Sequence, residues 1–186
     1  MLTLKPAKGC LLVAEPSIVG DVSFNRSVVL LADHNESGTI GFILNKVLDF
    51  SLKDLVPDIQ GNFKVYNGGP VEQDNLYFIH KVPDLIPKSI EIASGIYWGG
   101  NFDAVKELIE EDLISDEDIK FFLGYSGWDN DQLREELDAH SWILLDNTDK
   151  GEVICQQPMT FWKEKMMQLG GTYALWSNAP ENPMYN

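Results

Sequence analysis

The sequence predicts a single α+β domain, and three observations support this prediction. The 186 residues are 44% hydrophobic and 23% charged, which suits one globular domain that buries its own core. Short apolar runs of strand length fill the first half of the chain, whereas amphipathic segments of helical period are found in the second half. The two kinds of segment do not alternate as a doubly wound parallel sheet requires.

The domain is predicted to cover residues 1–176. Residues 177–186 contain two prolines and little hydrophobic periodicity, so we expect an extended tail there. No repeat and no linker divides the chain.

In the first half, apolar runs bounded by Gly, Pro, Asp and Asn predict five strands. Residues 35–38, which end in a glycine, are expected to form a hairpin loop between the second and third of these strands. Ser51 is followed three residues later by Asp54, the spacing of a capping box, so a short helix is expected there. Residues 66–70 have the sequence Tyr-Asn-Gly-Gly-Pro and predict a turn. The five predicted strands cover residues 9–14, 27–32, 39–44, 75–80 and 88–93.

In the second half, apolar residues recur every three or four positions after Asn101 and predict an amphipathic helix. Asp129 is expected to cap a second helix that ends near Ala139. Pro158 suits the first position of a third helix, which the glycines at 170–171 would end. Three further strands are predicted over residues 118–125, 142–145 and 152–155.

The charge and the cysteines restrict the partners and the compartment. Lys and Arg number 14 against 29 Asp and Glu, a net charge of −15. Binding to duplex DNA requires clustered cations, so direct nucleic-acid binding is disfavoured. The apolar runs are far shorter than the roughly 20 residues of a membrane span, and no signal peptide is visible. Cys10 and Cys155 are expected to be free thiols, which predicts a cytoplasmic protein without a membrane anchor.

This chain has only parts of the residue sets that make up common catalytic and metal sites. Residues 124–128, Gly-Tyr-Ser-Gly-Trp, resemble a nucleophile elbow around Ser126, but Trp128 stands where the second glycine is needed. A structural role for Ser126 is therefore favoured. The three histidines have no ligand partner at zinc-site spacing, and residues 129–131 lack the rest of a calcium loop. We predict no catalytic group, no metal and no cofactor.

Five segments occur in an order that is distinctive as a set: Gly9-Cys-Leu-Leu-Val-Ala-Glu-Pro16, Phe24-Asn-Arg-Ser-Val-Val-Leu-Leu31, Gly38-Thr-Ile-Gly-Phe-Ile-Leu-Asn45, Gly68-Gly-Pro-Val71 and Gly124-Tyr-Ser-Gly-Trp128. In this order the chain resembles the AlgH/YqgE family of small bacterial proteins, from about residue 9 to residue 171. The resemblance implies bulged, mainly antiparallel and overlapping sheets with peripheral helices, and it implies no established enzymatic activity. The family is often labelled a transcriptional regulator because of a genetic link to alginate production rather than a demonstrated DNA contact. Relatives often have alanine at the position of Ser126 and a Gly-Pro-Gly stretch at residues 129–131, where this chain is acidic.

Residues of these motifs are the candidates for ligand binding. Glycines allow close backbone approach, and aromatic side chains can form the wall of a groove. We expect a non-enzymatic binding or regulatory module that acts on a protein partner or a small ligand. The alternatives are an enzyme of unknown class, with a pocket formed by residues 68–71 and 124–128, and a direct DNA-binding regulator. The candidate residues are Asn45, Gly68, Gly69, Pro70, Gly124, Tyr125, Gly127, Trp128 and Gln132.

Overall fold

The computed structural model describes residues 4–18 and 21–181, and within them it contains ten strands and five α-helices. A 3₁₀ helix covers Lys150–Cys155. The α-helices are α1 (Leu52–Leu55), α2 (Phe102–Glu110), α3 (Gln132–Asp138), α4 (Pro158–Leu169) and α5 (Gly171–Trp176). The strands are β1 (Leu11–Ala14), β2 (Val28–Asn35), β3 (Gly38–Ile43), β4 (Val47–Ser51), β5 (Lys64–Asn67), β6 (Val71–His80), β7 (Ile90–Ala93), β8 (Ile96–Trp98), β9 (Ile119–Trp128) and β10 (Trp142–Leu145).

The strands form one mainly antiparallel sheet, in the order β10-β1-β2-β3-β9-β6-β8-β7. Strand β5 joins it by pairing parallel to β9, and β4 pairs with β5. The register shifts at four places, of which the largest lies in β6 between Val71 and Leu76. The α+β prediction and the implied bulged sheet are therefore confirmed.

Phe121 and Phe122 of strand β9 belong to different hydrophobic cores, because consecutive side chains of a strand point to opposite faces. Phe121 packs with the core that α1 and α2 cover, and Phe122 packs with the core that α4 covers. A third core, under α3, contains the indole of Trp128. The sheet is thus covered by helices on both faces. No helix among the described residues is long and apolar enough to cross a membrane.

Several local predictions are confirmed. Ser51 and Asp54 form the capping box of α1. The predicted amphipathic helix α2 begins directly after Asn101, and Pro158 is the first residue of α4. Residues 35–38 form the β2–β3 hairpin loop.

Two predictions are wrong. Residues 152–155 belong to the 3₁₀ helix rather than a strand, because Val153 and Ile154 are both buried in the same core, which neighbouring side chains of a strand could not be. Asp129 does not cap α3, which begins at Gln132, and its backbone N–H instead donates to the side-chain oxygen of Gln132.

Residues 177–181 follow α5 as turns, in which the Ser177 hydroxyl donates to the carbonyl of Ala174. Residues 182–186 lie outside the described part of the chain, so the extended tail stays a prediction.

A lysine is buried on β9. The side chain of Lys120 is 4% exposed, and its ammonium donates to the carbonyl of Ile154 at 3.2 Å. The same ammonium lies 4.0 Å from the centroid of the Tyr66 ring. These contacts replace little of the lost hydration, and burial lowers the pKa of Lys120 to about 7.

We predict that the free energy of unfolding of the wild-type protein rises with pH relative to that of Lys120→Met. The lysine pKa is lower in the folded than in the unfolded chain, so between pH 7 and about pH 10 the unfolded chain binds more protons, and raising the pH favours folding. From pH 7 to pH 9 the difference between the two proteins should change by about 2 kcal/mol in favour of wild type. Urea denaturation at both pH values measures it.

The matched control is Lys53→Met, which removes an exposed lysine of α1 and should follow the wild-type curve. If the free energies of unfolding of wild type and Lys120→Met changed equally with pH, the lowered pKa of the buried Lys120 amine would be contradicted.

Candidate functional site

The candidate site is an open groove of about 340 Å³ at the end of β9, which we call the β9 groove. The hairpin loop between β2 and β3 forms one side. Its lining residues are Asp33, Asn35, Ser37, Gly38, Thr39, Ile40, Val71, Tyr125, Gly127, Trp128 and Asp129.

The floor of the groove is a patch of sheet with a missing side chain. Gly127 is paired with Ile40 of β3, and Tyr125 is paired with Val71 of β6. Tyr125 and Gly127 are two residues apart and so face the same side of the sheet. A Cβ added at Gly127 would find its nearest neighbour, an atom of the Tyr125 ring, at 3.5 Å. The glycine is therefore not required by packing, and its bare surface makes the depression.

Tyr125 forms the aromatic wall of the groove and packs against Tyr77 of β6. The rings of Tyr125 and Tyr77 meet edge to face, with centroids 5.7 Å apart and planes at 88°. The Tyr77 hydroxyl donates to the carboxylate of Glu72, which also accepts from the Asn75 amide. These two hydrogen bonds lower the pKa of Glu72, and burial followed by the bond to Glu72 raises the pKa of Tyr77. The β6 bulge thereby limits the positions open to Tyr125.

The rim of the groove is acidic and polar. One oxygen of Asp33 accepts from the backbone of His34 at 3.0 Å, and the other accepts from the Asn35 amide at 2.9 Å. Asp129 is exposed directly after the end of β9, next to Gly38 of the hairpin loop. Two carboxylates next to an apolar floor favour a ligand that carries a positive charge beside an apolar group.

The predicted glycine motifs do meet, but they meet below the groove. A Cβ at Gly69 would overlap the backbone of Tyr125, and φ of Gly69 is +152°. A Cβ at Gly124, where φ is +70°, would lie 2.7 Å from the carbonyl oxygens of Gly69 and Val71. A Cβ at Gly68 would lie still closer to the Gly124 carbonyl oxygen. These glycines allow β9 to contact the Gly68–Gly69 segment, whereas Pro70 is exposed and does not line the groove.

Ser126 lies on the buried side of β9. Its side chain is fully buried, and its hydroxyl donates to the carbonyl of Gly68 at 3.0 Å. The same carbonyl accepts the backbone N–H of Ile43 at 3.0 Å. A hydroxyl held in this way is not presented to a substrate, so Ser126 joins the two motifs rather than acting as a nucleophile.

Trp128 and Gln132 belong to an internal hydrogen-bond network centred on Glu136. The indole N–H groups of Trp128 and Trp142 donate to one carboxylate oxygen of Glu136, at 2.8 and 2.7 Å. The Gln132 amide donates to the other oxygen at 2.9 Å. Trp128 is 5% exposed, so it supports the groove and offers a ligand little surface. The role of Glu136 as shared acceptor could not be predicted from the sequence, because it depends on β9, α3 and β10 meeting in the folded protein.

Asn45 lies away from the groove. Its side-chain oxygen accepts from the backbone of Val28 at 2.9 Å, and its amide donates to the carbonyl of Arg26 at 2.8 Å. It therefore connects the start of β2 to the end of β3. It lines a separate cleft with Arg26 and Lys46, two residues that sequence reasoning did not single out.

Both ring nitrogens of His80 are engaged within the protein. His80 is fully buried, with one ring nitrogen 3.0 Å from the carbonyl of Gly99 and the other accepting from the backbone of Val82. Burial lowers the pKa of His80. Within residues 4–18 and 21–181, no group of three or more His, Cys, Asp and Glu side chains is placed to hold a metal ion.

Comparisons with known proteins agree with this architecture. A family model described as AlgH-like matches residues 11–174. A UPF0301 protein of Cytophaga hutchinsonii is 41% identical over 182 residues, which cover 96% of this chain and 98% of that protein. A UPF0301 protein of Bacteroides thetaiotaomicron is 38% identical over 183 residues, which cover 97% and 92%.

Two solved structures share the fold. The crystal structure of a Corynebacterium diphtheriae protein has a TM-score of 0.73 at 21% identity, and the match covers 96% of this chain and 95% of that one. The solution structure of the AlgH protein from Pseudomonas aeruginosa has a TM-score of 0.70 at 24% identity, with 97% and 98% covered.

Replacing Glu136 by alanine should destabilise the protein by about 2–4 kcal/mol, because two buried indole N–H groups lose their acceptor. Urea denaturation followed by tryptophan fluorescence measures the change. Glu135→Ala, at the neighbouring exposed position of α3, is the control and should change stability by less than about 0.5 kcal/mol. Equal effects of the two substitutions would contradict the network.

Replacing Gly69 by alanine should destabilise the protein by at least about 3 kcal/mol, because the new Cβ overlaps the backbone of β9. Gly127→Ala should change stability by less than about 1 kcal/mol, since its Cβ meets only ordinary contacts. Thermal unfolding of the two variants measures the difference. A tolerated alanine at position 69 would mean that the close approach is not required.

Proposed function

The chain belongs to the AlgH-like family, and from this premise and the shape of the β9 groove we propose that the protein is a non-enzymatic binding module with a regulatory role. Its ligand is a basic segment of a protein partner. The β9 groove receives one apolar or aromatic side chain of that segment on its floor and the neighbouring cationic side chain at its rim.

The observation that supports this proposal most is the combination of a bare apolar floor with an acidic rim. Ile40, Val71 and Tyr125 surround the surface left free by Gly127. Asp33 and Asp129 provide negative charge within the same lining. The net charge of −15 attracts a basic segment from a distance, which increases the rate of encounter.

The rigidity of the lining is a second support. Tyr125 is held by Tyr77, and Asp33 is held by two hydrogen bonds. Groups that are ordered before binding lose less conformational entropy when a partner docks. A shallow groove can therefore bind without a deep pocket.

The enzyme alternative has less support at this site. Ser126 is buried beneath the groove, and its hydroxyl already donates to the carbonyl of Gly68. A catalytic nucleophile must be accessible to the substrate and paired with a base, and Ser126 is not placed for that role. Direct DNA binding is disfavoured by the same carboxylates that favour a basic peptide.

The cytoplasm is the proposed location. Cys10 and Cys155 are both free thiols, and free thiols are typical of reducing compartments.

The test uses fluorescein-labelled hexapeptides that carry two arginines around one leucine or tyrosine, with a matched set in which glutamates replace the arginines. Fluorescence anisotropy at about 50 mM salt should detect binding of the basic set only, since exposed charges are weakly screened at that ionic strength. Gly127→Val, which fills the floor, should weaken binding about tenfold or more, the equivalent of about 1.4 kcal/mol. Asp129→Asn should weaken it about twofold to fivefold.

The matched control is Asp58→Asn, which removes the same charge from an exposed position outside the groove. It should leave peptide affinity within about twofold of wild type, because surface charges act weakly over distance. Failure of every basic peptide to bind, or an equal loss in Asp58→Asn and Asp129→Asn, would refute the proposal.

A further inference from the structure

A second cleft carries the opposite charge. It has a volume of about 310 Å³ and lies between the β3–β4 connection and the start of α4. Three cationic side chains line it, from Arg26, Lys46 and Lys163, and we call it the cationic cleft. Only 14 of the 186 residues are Lys or Arg, so three of them around one cavity is a marked concentration in an acidic protein.

The first cation is fixed by its contacts. The guanidinium of Arg26 lies 4.9 Å from the centroid of the Trp162 ring, and one of its nitrogens donates to the carbonyl of Ala179 at 2.5 Å. The backbone of Arg26 is in the left-handed region, with φ of +53°, which costs energy for a residue with a side chain. Four guanidinium N–H groups remain for other partners.

The second cation is partly buried beside the first. The ammonium of Lys46 donates to the carbonyl of Asn25 at 2.5 Å. Burial lowers the pKa of Lys46, Glu181 acts in the opposite sense, and the neighbouring Arg26 lowers it further. The two cations therefore repel each other in a partly desolvated position, and an anion between them would relieve that repulsion.

The rest of the wall suits an anion with an attached organic group. Lys163 is exposed on α4 and is free to turn toward the cleft. Pro158 and Met159 place the amino end of this twelve-residue helix at the cleft, where the helix dipole adds positive potential. The Met159 side chain is 90% exposed and provides an apolar edge.

We propose that the cationic cleft binds a small molecule that carries a phosphate monoester. The phosphate would lie between Arg26 and Lys46, where several donors converge on one dianion. Lys163 would contribute from the rim, and the organic part would lie against Met159. Cavities of this size hold small ligands.

Glu181 acts as an internal competitor. Its carboxylate is the one acidic group among the described residues that line the cleft. Because it lies beside the same cations, it reduces the potential that a bound phosphate experiences. Its removal should therefore strengthen binding, which is a change that damage to the fold would not produce.

The experiment is isothermal titration of the full chain with inorganic phosphate, phenyl phosphate and benzoate at about 50 mM salt, where screening is modest. Phenyl phosphate should bind most tightly, inorganic phosphate more weakly and benzoate least. Lys163→Gln should weaken binding of phenyl phosphate about threefold to tenfold, and Glu181→Gln should strengthen it about twofold to fivefold.

The matched controls change the same charges elsewhere. Lys53→Gln and Glu110→Gln alter exposed residues outside the cleft and should leave affinity within about twofold of wild type. Circular dichroism and thermal unfolding check that each variant is folded.

Three outcomes would overturn the proposal. Phenyl phosphate fails to bind at millimolar concentration, benzoate binds as tightly as phenyl phosphate, or Lys53→Gln weakens binding as much as Lys163→Gln. The cationic cleft and the β9 groove share no lining residue, so each proposal can fail without the other.

Discussion

The contact between β9 and the Gly68–Gly69 segment is the constraint on which the rest of the structure depends. Strand β9 pairs with β3 near its end, with β5 near its start and with β6 along its other edge. Gly68 lies where β3, β5 and β9 meet, since its N–H donates to Leu123 and its carbonyl accepts from Ile43 and Ser126. Side chains at these glycines would separate the strands. The absence of a Cβ therefore allows one strand to serve both halves of the sheet and to contribute Phe121 and Phe122 to different cores.

The same crossing determines what the β9 groove can do. It turns Ser126 toward the interior and leaves Tyr125 and Gly127 on the outer face. The conspicuous polar groups nearby are already engaged, since Glu136 holds Trp128, Trp142 and Gln132 together. What remains for a partner is a shaped surface with carboxylates at its rim. The proposed binding role rests on that surface.

The protein also separates its charges. The chain has a net charge of −15, whereas Arg26 and Lys46 line one cleft, held by their contacts with Ala179 and Asn25. Asn45 supports this arrangement by bonding the Arg26 carbonyl, which gives one motif residue a structural role next to the cationic cleft. Two surfaces of opposite sign would let a phosphorylated small molecule and a basic protein segment bind the same chain.

The sequence by itself determined the α+β class, most strands, the capping box of α1, the position of α2 and the start of α4, because these follow from hydrophobic period and short-range hydrogen bonds. It also identified the glycine and aromatic motifs, through the resemblance of five segments to the AlgH/YqgE family. It missed β4, β5 and β8, which are short and acquire stability only from their neighbours, and it mistook the 3₁₀ helix for a strand. Only the tertiary structure decided that Gly68, Gly69 and Gly124 lie beneath the groove while Gly127 faces it. Only the tertiary structure, likewise, placed Asn45 in a different cleft and gave Glu136 its two indoles. Each of these depends on atoms that are distant in sequence, and a local pattern carries no information about which backbone will approach which glycine.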